Sequence, residues 1–91
     1  MNKQELIAKV ADKAGVTKAQ AQACVDAFVD VVTDALKDGD EIRLVGFGTF
    51  SAPMRKERTV RVPGTGETRT LPAMRVPKFK PGKGLKDTVA G

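Results

Sequence analysis

The chain has 91 residues, of which 41% are hydrophobic, so it is long enough for one domain but not for a large core. Its single cysteine, Cys24, excludes an intrachain disulfide and favours a reducing, cytoplasmic compartment. No stretch approaches the ~18 apolar residues of a membrane span, and the start lacks the pattern of a signal peptide.

Charge is divided unevenly along the chain, whose net charge is +5. Residues 1–42 carry 5 Lys or Arg and 8 Asp or Glu, a net charge of −3. Residues 43–91 carry 11 Lys or Arg and 3 Asp or Glu, a net charge of +8. A basic half of this kind is typical of a surface that faces a polyanion, although ordinary solubilising charge is an alternative interpretation.

The first half predicts two helices. Asn2, with Glu5 three residues later, resembles a capping box, and apolar residues then recur at helical spacing as far as Gly15, a typical C-cap. Thr17 is the next predicted N-cap, and the second helix is expected to stop at Gly39. Because the link between the helices is short, we expect a helical hairpin.

The second predicted helix is apolar over most of its circumference. Its polar stripe consists of Gln22, Asp26, Asp30, Thr33 and Lys37. A helix of this kind is normally buried on more than one side. Either the chain's own sheet or a second copy of the chain could provide the cover, and the short length favours a second copy. Cys24 belongs to the apolar set and is predicted to be a buried small hydrophobic residue.

The second half predicts strands. One strand begins at Ile42, and Gly46–Phe50 is expected to form a tight corner with Phe47 and Phe50 in the core. A second strand is expected to continue to about residue 58, Pro63–Gly66 to form a turn, and a returning strand to cover residues 67–79. A short helix over residues 83–89 should follow, with Leu85 and Val89 on its inner side.

Residues 53–75 have few large aliphatic side chains. They carry instead Arg55, Lys56, Arg58, Arg61, Arg69 and Arg75. Such a segment cannot pack its own core, so it predicts a two-stranded arm on a compact body of residues 1–52 and 76–91, within a single domain. Arg55, Arg58 and Arg61 are spaced by three, which alternates faces in a strand. Only strong twist or a bulge would align them along one phosphate path.

The residue inventory does not favour catalysis. The chain has no His, Tyr or Trp residue, and no Cys or His pair spaced to hold zinc. The segments Gly46–Gly48 and Gly82–Gly84 lack the spacing of dinucleotide- and phosphate-binding loops, and the carboxylates of Asp38–Glu41 lie in a predicted solvated turn. We therefore predict no enzyme activity, catalytic residue, metal, cofactor or small-molecule substrate.

Four motifs together resemble the bacterial HU and integration host factor proteins over essentially the whole chain. They are Met1-Asn2-Lys3…Leu6-Ile7, Val45-Gly46-Phe47-Gly48-Thr49-Phe50, Arg58-Thr59…Arg61…Pro63…Thr65-Gly66, and Val76-Pro77…Phe79-Lys80…Gly82-Lys83…Leu85-Lys86. The resemblance implies an α+β fold with an N-terminal helical hairpin, a three-stranded antiparallel sheet, an extended β-ribbon arm and a short C-terminal helix. It also implies an intertwined homodimer, or a heterodimer with a paralogue.

The resemblance is closest to HU, and the function it implies is that of a histone-like nucleoid protein. Such a protein binds duplex DNA largely non-specifically through the minor groove and bends and compacts it. Pro63 would be the intercalating tip, although its local chemistry is equally that of a turn former. The other implied DNA contacts are Lys3, Arg55, Arg58, Arg61, Arg69, Lys80, Lys83 and Lys86. Val62 stands where the family usually has Asn, which removes hydrogen bonds to base edges and leaves the bend angle open.

Two other functions stay open at this point. A sequence-specific integration host factor subunit would share the fold but prefer a defined site. An RNA-binding protein is compatible with the basic half, but Pro63 disfavours it, because A-form RNA is recognised by shape or through splayed single strands.

Overall fold

All 91 residues are described by a computed structural model of the chain. The helices are α1 (Lys3–Ala14), α2 (Lys18–Lys37) and α3 (Lys83–Ala90). The strands are β1 (Ile42–Leu44), β2 (Gly48–Ser51), β3 (Met54–Arg55), β4 (Arg58–Arg61), β5 (Thr68–Leu71), β6 (Met74–Arg75) and β7 (Lys78–Pro81). The chain forms two compact units, residues 1–34 and residues 35–91. No helix is both long and apolar enough to cross a membrane.

Side-chain caps define where the first two helices begin. The Asn2 Oδ1 atom accepts a hydrogen bond from the Glu5 N–H group at 2.9 Å. The Thr17 Oγ1 atom accepts from the Gln20 N–H group at 3.1 Å, and Gln20 Oε1 accepts in return from the Thr17 N–H group at 3.0 Å. This is a complete capping box. The predicted N-caps are therefore confirmed, and the predicted C-cap Gly15 ends α1 at φ 72°.

The core of the first unit lies between the two helices. Ile7, Ala11 and Ala21 are buried, and Val10 and Val25 pack against them. The buried side chains come from both helices, and the short link after Gly15 reverses the chain. The predicted helical hairpin is confirmed.

Much of the apolar surface of α2 stays exposed in the single chain. Phe28 is 47% exposed, Val31 is 63% exposed and Cys24 is exposed as well. The prediction that Cys24 is buried is therefore wrong for the isolated chain. The physical reason is that a two-helix hairpin covers one face of each helix, and Cys24 lies outside the face that meets α1.

The central sheet has three antiparallel strands in the order β1-β2-β7. Phe50 lies opposite Phe79 in the register, and their ring centroids are 4.8 Å apart. Phe47 lies 5.4 Å from the same ring but is 45% exposed. The expected core position is therefore wrong for Phe47, which follows Gly46 in the corner and lies at the edge of the phenylalanine cluster.

The arm is a two-stranded ribbon, but its strands are shorter than predicted. β3 pairs with β6, and β4 pairs with β5. The interruptions coincide with Pro53, Pro72 and Pro77, and Pro53 has a direct effect on the ladder. The Val76 N–H group donates to the Pro53 carbonyl oxygen at 3.1 Å, but Pro53 has no N–H group to donate in return. Pro72, which also lacks an N–H group, lies at the second break, opposite Glu57. The predicted continuous strands are therefore wrong at these positions.

The hydrogen-bonded pairs of the ribbon change phase once. Near the sheet, the Gly82 N–H group donates to the Phe47 carbonyl oxygen, and the Val76 N–H group donates to the Pro53 carbonyl oxygen. The two acceptors, Phe47 and Pro53, are an even number of residues apart in the sequence. At the far end of the arm, the Val62 N–H group donates to the Glu67 carbonyl oxygen at 2.8 Å. Val62 is an odd number of residues from Pro53 on the same side of the ribbon. Hydrogen-bonded and non-hydrogen-bonded pairs alternate in a regular antiparallel ladder. The phase therefore changes at residues 56–57, opposite residues 72–73.

The predicted turn and C-terminal helix are both present. Gly64 and Gly66 take left-handed conformations at φ 90° and φ 74°, which reverse the chain after Pro63. In α3, Leu85 is half-buried, whereas Val89 is 78% exposed. The expectation that Val89 lies on the inner side is wrong for the single chain, because Val89 lies in the last turn of this eight-residue helix.

The exposed apolar surface of α2 leads to a prediction about assembly. We expect a second copy to cover residues such as Val29 and Val31, because exposed apolar patches of this kind typically mark association sites. Analytical ultracentrifugation at micromolar concentration should give a mass near twice the chain mass of 9.7 kDa. A sedimenting species of a single chain mass would contradict this expectation.

Candidate nucleic-acid interface

The outer part of the arm carries exposed arginines on both faces. Arg58 and Arg61 lie three residues apart in β4, so the pleat directs them to opposite faces. The register places Arg69 opposite Val60, which shares the face of Arg58. One face therefore presents Arg58 and Arg69, and the other presents Arg61.

The two faces of this outer ribbon differ in their other residues. The face of Arg58 also contains Val60 and Leu71, which are half-buried. The face of Arg61 contains only threonines besides the arginine: Thr59, Thr68 and Thr70. β-branched side chains stiffen a two-stranded ribbon and pack well across it. Packing within the outer ribbon therefore comes mainly from pairs of side chains across its two strands.

Arg55 lies nearer the sheet and is partly buried. Its Nη2 atom lies 3.2 Å from the Met74 sulfur, and its buried Nε atom has no hydrogen-bond partner. Because a thioether is a weak acceptor, Arg55 keeps donor capacity for a stronger one such as a phosphate oxygen. Residues 56 and 57, where the phase of the ladder changes, separate Arg55 in β3 from Arg58 and Arg61 in β4.

Pro63 lies in the exposed turn at the end of the arm. The two turn glycines, Gly64 and Gly66, have no other part of the chain within contact distance of a side chain there. The Thr65 hydroxyl accepts a hydrogen bond from the Glu67 N–H group at 3.3 Å and supports the turn. The tip is therefore narrow and accessible from all sides.

Basic residues of the body occupy the sheet and α3. Lys80 is exposed in β7, and Lys83 and Lys86 are exposed in α3, where a spacing of three places them on the same side of the helix. The register adds two cations that the sequence analysis did not select. Arg43 and Lys78 share the polar sheet face with Lys80, because Arg43 lies opposite Thr49 and Thr49 lies opposite Lys80. The alternation of charged and apolar residues in β1 and β7 indicates in the sequence that these cations share one face of the sheet.

Lys3 belongs to the other unit and is not a free cation. Its Nζ atom forms an ion pair with Asp26 at 2.7 Å, and the two side chains are 59% and 44% exposed. A pair that is exposed to this degree contributes only about 0–1 kcal/mol. Lys3 can therefore exchange Asp26 for another anion at low cost.

Arg75 also has an intramolecular partner. Its Nη1 atom donates to the Ala52 carbonyl oxygen at 3.3 Å, and its guanidinium lies against Gly39. Arg75 therefore differs from Arg58, Arg61 and Arg69, whose side chains make no such contact. No cluster of His, Cys, Asp or Glu side chains in the chain has the arrangement of a metal site. The geometry is that of a small polyanion-binding protein with a basic ribbon.

Comparison with known proteins agrees with this geometry. The family model described as "Bacterial DNA-binding protein" matches residues 1–90. DNA-binding protein HU-beta 2 of Neisseria meningitidis is 54% identical over 91 residues, which cover all of both chains. DNA-binding protein HU 1 of Bacillus subtilis is 52% identical and covers 100% of this chain and 99% of its own.

Solved structures give the same result. The chain is similar to HU in an Anabaena HU–DNA cocrystal structure, with a TM-score of 0.90, 47% identity and coverage of 99% and 98% of the two chains. HU from Thermotoga maritima has a TM-score of 0.71 and 37% identity, with coverage of 98% of each chain. The chain therefore belongs to the bacterial DNA-binding protein family that includes the HU proteins.

The ion pair of Lys3 gives a testable prediction about DNA affinity. Asp26→Asn should strengthen binding to duplex DNA about two- to fivefold at low salt. The substitution removes a negative charge, and Lys3 no longer has to give up its ion pair before it contacts a phosphate. Lys3→Ala should weaken binding less than Arg58→Ala does. Fluorescence anisotropy with a labelled duplex measures both effects. Asp30→Asn is the matched control, since Asp30 lies on the same helix and takes part in no ion pair. Equal gains from the two substitutions would show a general charge effect and contradict the prediction.

Proposed function

We propose that this chain is a histone-like architectural protein that binds duplex DNA with little sequence preference, enters the minor groove with its arm, and bends and compacts the DNA. The observation that carries the proposal is the exposed ribbon with arginines on both faces. A ribbon lying in a groove has one phosphate wall on either side. Arginines on both faces, such as Arg58 and Arg61, suit contacts with both walls.

Guanidinium chemistry supports the choice of the minor groove. Arginine stays charged and donates several hydrogen bonds from a planar fork, which suits phosphate and base-edge acceptors. A narrow minor groove also has an enhanced negative potential that attracts arginine. We propose that residues 53–75 form the DNA-binding arm. Its contacts would be Arg55, Arg58, Arg61 and Arg69.

Bending requires further contacts at the tip and on the body. Pro63 is an exposed rigid wedge that can enter a base step and partly unstack it, and the contacts that the bend brings within reach offset this cost. The flanking DNA would then meet phosphate-binding residues of the body. These are Lys3, Lys80, Lys83 and Lys86, together with Arg43 and Lys78 from the sheet face.

Low sequence preference follows from the types of contact. Phosphate contacts position a protein without reading sequence, and Val62 beside the tip has no amide to read a base edge. Specific binding by an integration host factor subunit and binding of RNA have no observation in their favour. We further propose that the protein acts as a dimer on the nucleoid, with no catalytic activity of its own.

The proposed contacts predict a strong dependence of affinity on salt. If about 8 phosphates are neutralised, the logarithm of the association constant should fall against the logarithm of salt concentration with a slope near −7. Titrations of a short random duplex between low and physiological salt measure this slope. A nearly flat response would contradict the proposed function. Duplex RNA of the same length serves as the comparison and should bind more weakly.

The wedge role of Pro63 predicts a separable effect on bending. Pro63→Ala should reduce the bend, measured by energy transfer between the ends of a short duplex, because alanine is smaller and less rigid at the tip. It should lower affinity less than the double substitution Arg58→Ala and Arg61→Ala, which removes two charged contacts. An unchanged bend with Pro63→Ala would leave Pro63 as a turn former only.

A further inference from the structure

Arg75 is a cation of the arm that interacts with its own chain. It lies in β6 opposite Met54, close to the point where the arm leaves the sheet. Its Nη1 atom donates to the Ala52 carbonyl oxygen at 3.3 Å. A Cβ atom added to Gly39 would lie 2.6 Å from the same Nη1 atom and 2.7 Å from the guanidinium carbon. The guanidinium therefore packs directly on a glycine that has no room for a side chain.

Gly39 follows the C-terminal end of α2 and takes part in its cap. Its N–H group donates to the Leu36 carbonyl at 3.0 Å, and the Asp40 N–H group donates to the Ala35 carbonyl at 2.8 Å. With Gly39 at φ 78°, this is the Schellman arrangement that ends many helices. The carbonyl end of a helix carries partial negative charge and stabilises a nearby cation. Asp40 and Glu41 line the same cleft and add negative charge.

The contact lies at the break in the ladder where the arm begins. Pro53 lacks the N–H group that would complete its pair with Val76, so the ladder loses a hydrogen bond between β2 and β3. Arg75 lies beside this gap and donates instead to Ala52, the residue that precedes Pro53. The side chain thus replaces backbone hydrogen bonding at the start of the arm.

We propose that Arg75 is a positioning residue, which fixes the start of the arm to the C-terminal end of α2 through Gly39 and does not bind a DNA phosphate. The inference rests on the proposed function. An arm held in one orientation loses less conformational entropy when it binds than a freely swinging arm. Loss of the contact should therefore weaken binding and bending without changing the number of phosphates that the protein neutralises.

Gly39→Ala tests the proposal without changing any charge. It displaces the Arg75 guanidinium, but it also strains a left-handed position. Gly15→Ala is the matched control, because Gly15 also ends a helix, at φ 72°, and has nothing within 4 Å of an added Cβ atom. Arg75→Ala tests the same contact from the other side, at an exposed position where truncation leaves no cavity.

Affinity and its salt dependence provide the first readout. We expect Gly39→Ala and Arg75→Ala each to lower affinity for a short duplex about three- to tenfold through lost pre-organisation, and the double variant to lose no more than either alone. Both should keep the wild-type salt slope, whereas Arg58→Ala, which removes one contact from each arm of the proposed dimer, should reduce its magnitude by about 1.8. A similar loss of slope in Arg75→Ala would show a phosphate contact and overturn the proposal, as would equal affinities of Gly39→Ala and Gly15→Ala.

Amide hydrogen exchange without DNA provides the second readout. Residues 53–75 should exchange faster in Gly39→Ala and Arg75→Ala than in the wild type and in Gly15→Ala. Unchanged exchange would overturn the positioning role. Because this readout needs no DNA, a wild-type protein that fails to bind duplex DNA would contradict the proposed function alone.

Discussion

The structure depends on a two-stranded ribbon that has too few apolar side chains to form a core of its own. The arm has half-buried apolar residues on one face, among them Val60 and Leu71, and threonines on the other, so its stability comes from cross-strand pairs and the tight turn after Pro63. Its arginines have no acidic partner within the ribbon and keep their charge available. Contacts between these arginines and an external polyanion should therefore supply most of the binding energy. Affinity, bending and salt dependence should then all depend on the arginine side chains.

The body and the arm differ in how their side chains are buried and paired. The helical hairpin buries Ile7, Ala11 and Ala21 but leaves apolar surface on α2, which requires association to be covered. The sheet holds its phenylalanine cluster on one face and its basic residues on the other. Several cations have intramolecular partners, among them Lys3, Arg75 and Arg43, whose Nη2 atom lies 3.5 Å from a Glu41 carboxylate oxygen. The ion pair of Lys3 is exposed and easily exchanged, whereas the contact of Arg75 is packed against backbone.

Local signals in the sequence predicted the elements well, because caps and turns are set by nearby residues. Asn2, Thr17 and Gly15 mark the helix ends, and the turn after Pro63 follows from its glycines. The alternating pattern predicts continuous strands, whereas the structure has breaks at Pro53 and Pro72, whose missing N–H groups are the signal in the sequence for these breaks. The pairs Lys3–Asp26 and Arg75–Gly39 join distant positions that no local pattern relates. Cys24 is exposed because the hairpin covers a different face of α2, which the apolar pattern of the helix does not distinguish.

Amide hydrogen exchange of the wild-type protein with and without a short nicked duplex tests the central claim most directly. If the arm grips the double helix, residues 54–75 should exchange much more slowly when DNA is bound, with the largest change around Arg58 and Arg61. The buried residues of the helical hairpin, such as Ile7, should change little. Binding of the duplex with no protection anywhere in the arm would contradict the account.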